Sequence, residues 1–291
     1  MVLKVLPLFL TLAMLVFTEM AFCSDQRSVT RTFMPSGLTF SPILGNPQEG
    51  RMAVRKLLEG PDLHVEIGNT IDLIRWTYSH SDTSRLIRTI SIGASFFSYG
   101  YITSVKENRL KVDALDGFFG GHIVYTSSIH NTPWHLRLRL MHQSAHMVDG
   151  RFDKYTETWV DGKLPISYTR DQAELTTIHY FGKTRLGGGA GIVWLRRPDE
   201  VSPYHVFLTA DRLFHSSVNG FMHWYGGYFL RGEDSSSFTL SHSLTAGVKF
   251  GEWNGKGIRL IFQYFNGLNF FGEYFYERLT YASVGFSFDF W

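Results

Sequence analysis

The stretch that decides the fold is Ser283–Trp291, SVGFSFDFW. Val284, Phe286, Phe288 and Phe290 alternate with Ser283, Gly285, Ser287 and Asp289, so an extended chain carries aromatic and aliphatic groups on one face and small or polar ones on the other. A helix would mix the two sets. The same period runs back through the chain. In FTLSHSLTAGVKF (238–250), Phe238, Leu240, Leu244, Ala246, Val248 and Phe250 oppose Thr239, Ser241, Ser243, Thr245 and Lys249. In HVEIGNTIDLIRW (64–76), Val65, Ile67, Ile71 and Leu73 oppose His64, Glu66, Gly68, Thr70 and Asp72. Ile258, Leu260, Phe262 and Tyr264 repeat it, with Ile261 and Phe265 on the otherwise polar side.

About 12 such runs, separated by turn-forming residues, are predicted near 51–58, 63–78, 89–104, 110–127, 134–147, 164–180, 184–196, 204–214, 217–230, 237–250, 257–267 and 279–291. The chain is 16% aromatic, carries 28 glycines, and has no later apolar run near the roughly 20 residues of a spanning helix. Two architectures alternate in this way: a secreted sandwich, and a closed antiparallel transmembrane β-barrel with aromatic girdles. The even run count and the strand lengths favour the all-β transmembrane barrel, whose closure removes exposed edges. The formal net charge of +2 points to no nucleic acid and no polyanionic partner.

The first residues, MVLKVLPLFLTLAMLVFTEMAFCSDQ, carry Lys4, an apolar run and a small-x-small site, the pattern of an export signal over 1–23. Cys23 is the single cysteine, so no internal disulfide can form; lipidation of Cys23 is the weaker reading because bulky Phe22 precedes it. Residues 24–50, rich in Pro, Ser and Thr, are expected to form an irregular periplasmic lead-in, and 51–291 the barrel. The terminal segment resembles the C-terminal assembly signal of bacterial outer-membrane barrels, with Ser283, Gly285, Phe288 and Phe290 in its places and Trp291 one residue beyond its phase. That resemblance implies an outer-membrane location, contact with membrane lipids and with the barrel-assembly machinery, and a monomer or homodimer.

With the last strand running inward, the 134–147 strand runs outward and Val148–Pro165 becomes an external loop. In WHLRLRLMHQSAHM (134–147), Leu136, Leu138 and Leu140 share a face with His142, Ser144 and His146. Residues two apart on a strand point the same way, roughly 6–7 Å apart, so His142 can act as base for a Ser144 nucleophile facing lipid. The equally simple alternative is that these polar groups bond headgroups or loop backbone at the rim.

The His-x-Ser of 142–144 resembles that of outer-membrane phospholipase A and of the barrel-type lipid A deacylase, which implies a lipid acyl hydrolase with His142 as base, Ser144 as nucleophile and His146 in support. It departs from the phospholipase pattern at Ala145-His146, and the sequence offers no counterpart of the orienting asparagine. A second resemblance covers more of the chain. LTFSPILGNPQEGRMAV (38–54), MHQSAHMVDG (141–150) and GGGAGIVW (187–194) are similar in order and spacing to an uncharacterised barrel family, domain of unknown function 1207. Pro42, Pro47, Glu49 and Arg51 match its lead-in, and His142, Gln143, Ser144, His146 and Asp149 its central motif, whereas Gly50, Ala145, Val148 and Gly150 depart from it. It implies a barrel and no particular activity.

Asp149 and Asp153, with Glu157 and Asp161, offer hard oxygen ligands for Ca2+, though without the spacing of a calcium loop. His142 and His146 lie about 13 Å apart on a strand and cannot share one metal ion. Arg137, Arg139, Glu66, Asp72, Arg259 and Gln263 are predicted to point into the lumen, there either to line a narrow pore or to lock into ion pairs.

Overall fold

The computed structural model describes residues 27–80, 87–105, 109–129, 132–234 and 237–290. The expected export signal, 1–23, lies outside the described residues. The strands are β1 (Arg27–Phe33), β2 (Met52–Leu57), β3 (Leu63–His80), β4 (Ile87–Val105), β5 (Arg109–Ile129), β6 (Thr132–Met147), the short pair β7 (Phe152–Asp153) and β8 (Thr158–Trp159), then β9 (Tyr168–Phe181), β10 (Thr184–Arg197), β11 (Tyr204–Ser216), β12 (Met222–Asp234), β13 (Phe238–Gly251), β14 (Gly257–Leu268) and β15 (Arg278–Asp289). Thirteen of them share one antiparallel sheet. In it β15 pairs with β2, β2 with β3 and β3 with β4, so twelve strands close into a barrel. The thirteenth, β1, pairs with residues 74–80 of β3, below the stretch of β3 that pairs with β2.

The twelve expected runs are these twelve strands. The largest slip is at β12, expected from 217. Ser217–Phe221 instead form a turn, with the Ser217 amide bonded to Met222 O and Gly220 at φ +65°, which costs glycine no steric penalty. The alternation sorts as the pattern demands. Val284, Phe286 and Phe288 are exposed on the outer surface while Ser283 and Ser287 are buried inside. Leu240 and Leu244 face out; Ser241, Ser243, Thr245 and Lys249 face in. Ile261 and Phe265 follow their strand's phase into the lumen, where Phe265 packs with Leu57 and Tyr281. A bulge at Leu73 restarts the alternation of β3, so Arg75 joins Asp72 on the inner side, 3.0 Å away. Gly68 sits at φ +134°, and a Cβ there would lie 2.3 Å from Phe96 O. Only glycine lets β3 pass β4 at that point.

The two rims differ. One carries short connections, such as 182–183 and 252–256; the other carries 148–167 and 269–277. At the short-turn rim Trp134, Phe181, Phe214, Trp224 and Phe288 form an outward aromatic band.

The lead-in corrects the sequence reading. Residues 34–51 are irregular, as expected, but they lie inside the barrel. The chain leaves the wall after β1, crosses the lumen and rejoins the wall at β2. Its contacts run round the inner wall. Thr39 N and Oγ1 donate to Asp72 Oδ2 of β3 at 2.9 and 2.6 Å, and Tyr99 Oη of β4 donates to Glu49 O at 2.6 Å. Glu49 takes both guanidinium nitrogens of Arg137 on β6 at 3.1 and 2.8 Å, and Gln48 Oε1 accepts from Arg170 of β9 at 3.2 Å. Arg185 of β10 donates to Ser41 O and Pro42 O, and Leu44 N donates to Asp211 of β11 at 3.2 Å. Gly45 presses on β12 so closely that a Cβ would stand 2.9 Å from Phe229 N. An aperiodic segment can be buried because its polar groups find these partners in the wall.

The long-loop mouth is closed as well. Loop 269–277 folds inward, burying Phe271, Gly272, Glu273 and Tyr274. Gly272 N donates to Asp116 Oδ2 at 2.9 Å, and Glu273 accepts the amides of Met147 and Ile166 at 2.9 and 3.0 Å. Beneath it the His64 ring is packed by Tyr101, Phe270, Phe271 and Tyr281 at 4.8 to 5.8 Å. Burial pushes the Tyr274 phenol up to about 12, so it stays neutral under Lys163, whose Nζ lies 3.8 Å above the ring.

Candidate active site on the outward face of strands β6 and β9

On β6 the inner residues Arg137, Arg139, Met141, Gln143 and Ala145 are buried, which leaves Leu136, Leu138, Leu140, His142, Ser144 and His146 on the outer face. The expected lumenal set is found inside. Arg137 and Arg139 do not line a pore. Arg137 is bidentate to Glu49, and Arg139 Nη2 bonds Glu174 Oε1 at 3.0 Å, whose other oxygen faces His205 Nε2 at 3.2 Å. The two guanidiniums, two carboxylates and one imidazole bind plug to wall.

Gln143, fully buried, fixes the strand that carries the outer groups. Its Nε2 donates to Asp116 Oδ2 and its Oε1 accepts from Arg170 Nε, each at 2.6 Å. The side chains immediately before and after it, His142 and Ser144, are thereby held pointing outward at a set height.

The β6–β9 register places Asp171 directly opposite His142. Asp171 lies on the same outer face, and its Oδ1 is 2.6 Å from His142 Nδ1. A bond from Nδ1–H to a carboxylate assigns the proton to Nδ1 and leaves Nε2 with its lone pair, the tautomer a general base requires. On the other side, Phe119 of β5 packs against the imidazole, the ring centroids 4.5 Å apart and the planes tilted by 33°. The ring is thus clamped between a carboxylate and an aromatic face. The side chains of His142 and Asp171 are 30% and 29% exposed, open enough to meet a substrate and covered enough for their hydrogen bond to be only partly screened.

Ser144 is opposite Gly117 on β5 and Thr169 on β9. A Cβ at Gly117 would lie 3.7 Å from Ser144 Oγ, so glycine leaves that flank of the hydroxyl open. No hydrogen bond joins Ser144 to His142 in the structure; the two side chains share the outer face two residues apart. His146, one step further on the face, is exposed and touches neither group.

Asp171 is the residue that sequence reasoning missed. Its signal is the one carboxylate on the outward side of β9, in phase with Ala173 and Leu175 and opposed to buried Gln172 and Glu174. Pairing it with His142 requires the β6–β9 register, which the long 148–167 loop hides. Of the two carboxylates expected to hold Ca2+, Asp153 accepts the Tyr155 amide at Oδ1 at 2.9 Å, and the side chain of Asp149 lies outside the described residues. Among the described residues no group of three or more His, Cys, Asp and Glu side chains converges as a metal site would.

The residues that carried the family resemblance have structural places. Glu49 and Arg51 belong to the plug, Arg51 reaching Glu66 at 3.3 Å, and Gln143 locks β6 from within. No curated protein and no solved structure matches the chain. Residues 15–290 match the family described as "Protein of unknown function (DUF1207)", and the chain belongs to that family.

Proposed function

We propose that this barrel sits in the outer membrane of a Gram-negative bacterium and that Ser144, His142 and Asp171 form a serine acyl-hydrolase site acting on lipids of the outer leaflet, phospholipid or lipid A. The short-turn rim then faces the periplasm, where short turns belong, and the 148–167 loop faces outward. The observation that carries the reading is the 2.6 Å bond from His142 to Asp171 on the outward face of the barrel. The likeness of His142-Gln143-Ser144 to the outer-membrane phospholipase motif agrees with it, with Asp171 doing what asparagine does in that pattern.

In this reading His142 Nε2 takes the Ser144 proton as Oγ attacks an ester carbonyl carbon. The acyl–oxygen bond breaks, and the proton passes from Nε2 to the departing alcohol. Water, deprotonated by the same nitrogen, then releases the acid and restores Ser144. Asp171 keeps the imidazole oriented and stabilises its charged form, and the leucines below seat the acyl chain.

The test is hydrolysis of a fluorogenic phospholipid and, separately, lipid A by the refolded mature chain, with Ca2+ and with chelator, against Ser144→Ala and His142→Ala. Turnover abolished by both substitutions, with folding intact, supports the reading. No turnover on either lipid by a folded wild type transfers the face to a rim-anchoring role for a plugged, non-conducting barrel.

A further inference from the structure

The geometry points to a second site inside the barrel: we propose that the lumen below the plug binds a small organic anion, an aromatic or aliphatic phosphate or carboxylate, entering from the short-turn rim. The proposal is independent of the acyl-hydrolase reading. A cavity of about 510 Å3 lies there, roofed by plug residues such as Leu38 and Ile43 and reaching the rim at the 182–183 turn and at Trp253 and Asn254. That volume suits a ligand of small-molecule size.

Its charge is uneven. Glu66 is shared by Arg51 and Arg55, and Asp289 by Lys249 and Arg259 at 2.5 and 2.8 Å, while Arg185 alone is matched one to one, by Asp211. Of the residues that line the cup itself, Arg51, Lys183, Arg185, Arg212 and Arg259 are cationic and only Asp211 and Asp289 are anionic. An excess of cations around a partly enclosed cavity attracts an anion into it. Arg259 is the best placed to be met. Its guanidinium carbon lies 5.1 Å from the Tyr225 ring and 5.2 Å from that of Trp253, and its Nε is spent on Asp289. Its Nη1 is buried without a hydrogen-bond partner. Arg259 lines the cavity, and an aromatic-backed guanidinium whose ion pair leaves one nitrogen unpartnered is suited to a phosphate or carboxylate oxygen. The apolar part of the lining, with Leu213 and Ile261, would take the ligand's hydrocarbon body.

The experiment is isothermal titration of the refolded mature chain, in a neutral detergent, with phenyl phosphate, inorganic phosphate and uncharged benzyl alcohol. The expected order is phenyl phosphate tightest, inorganic phosphate weaker and benzyl alcohol without measurable heat, with phenyl phosphate weakening as salt is raised. Arg259→Gln should weaken phenyl phosphate at least tenfold. Leu213→Glu, which adds a carboxylate near the rim without touching an ion pair, should weaken it by several-fold and serves if Arg259→Gln fails to fold. Equal binding of benzyl alcohol, affinities unchanged in both folded variants, or no binding of phenyl phosphate at millimolar concentration would each overturn the proposal.

Discussion

Replacing Glu49 by Gln should loosen the plug more than any other single change of similar size. Glu49 is 2% exposed, takes Arg137 through two hydrogen bonds and lies 3.7 Å from Arg139 Nη1. After the substitution Arg137 and Arg139 share only Glu174, 3.6 and 3.0 Å away. Removing one partner of a buried pair costs about 3–5 kcal/mol because a charge is left uncompensated. The retained Glu174, and water entering from the cup below, place the expected loss at the lower end, about 3 kcal/mol. A barrel of this size moves by roughly 2–4 °C per kcal/mol, so the midpoint should fall by about 6–12 °C. Urea unfolding in lipid vesicles, followed by tryptophan fluorescence, reads the loss directly. Arg137→Met in the Glu49→Gln background should recover part of it, since the orphaned charge is gone. A change below about 0.5 kcal/mol for Glu49→Gln, or no recovery in the double variant, would refute the claim that this carboxylate anchors the plug.

Wild type should show no steady conductance in planar bilayers, because residues 34–51 and the inward loop 269–277 both obstruct the lumen. Replacing residues 35–50 with a ten-residue Gly-Ser linker should change that partway. The linker must span the β3 stretch between residues 66 and 74, roughly 26 Å, which ten extended residues can do. Brief openings are expected, and steady ones once Phe270 and Phe271 are also cut back to Ala; persistent silence in that combined variant would mean the wall itself closes the pore. On the outer face, Leu208→Arg, at a side chain 63% exposed, should cost about 2–4 kcal/mol in vesicle refolding if the belt meets hydrocarbon, whereas the same change should be nearly neutral in a soluble barrel.

The wall was legible in the sequence because a barrel strand needs only local information: a period of two, a turn, and the next strand. Even the mixed run of β14 obeys its phase, with Ile261 and Phe265 turned inward and Phe265 packed against Leu57 and Tyr281. The plug was not legible. Glu49, Gln48 and Thr39 are ordinary polar residues in an aperiodic stretch, and their partners Arg137, Arg170 and Asp72 lie between 33 and 122 positions away. The same limit governed the outward site. His142 and Ser144 lie two residues apart, so the strand pattern alone brings them to one face, while Asp171 is 29 positions from His142 across a loop whose length conceals the register.

The central claim is that Ser144 is an activated nucleophile on the membrane side of the barrel. Its most direct test is intact-mass analysis of the refolded chain after exposure to a long-chain fluorophosphonate. The account predicts a single adduct mapped to Ser144, absent in Ser144→Ala and formed much more slowly in Asp171→Asn, where His142 loses its anionic partner. A folded wild type that remains unlabelled, or an adduct at another residue, would contradict it.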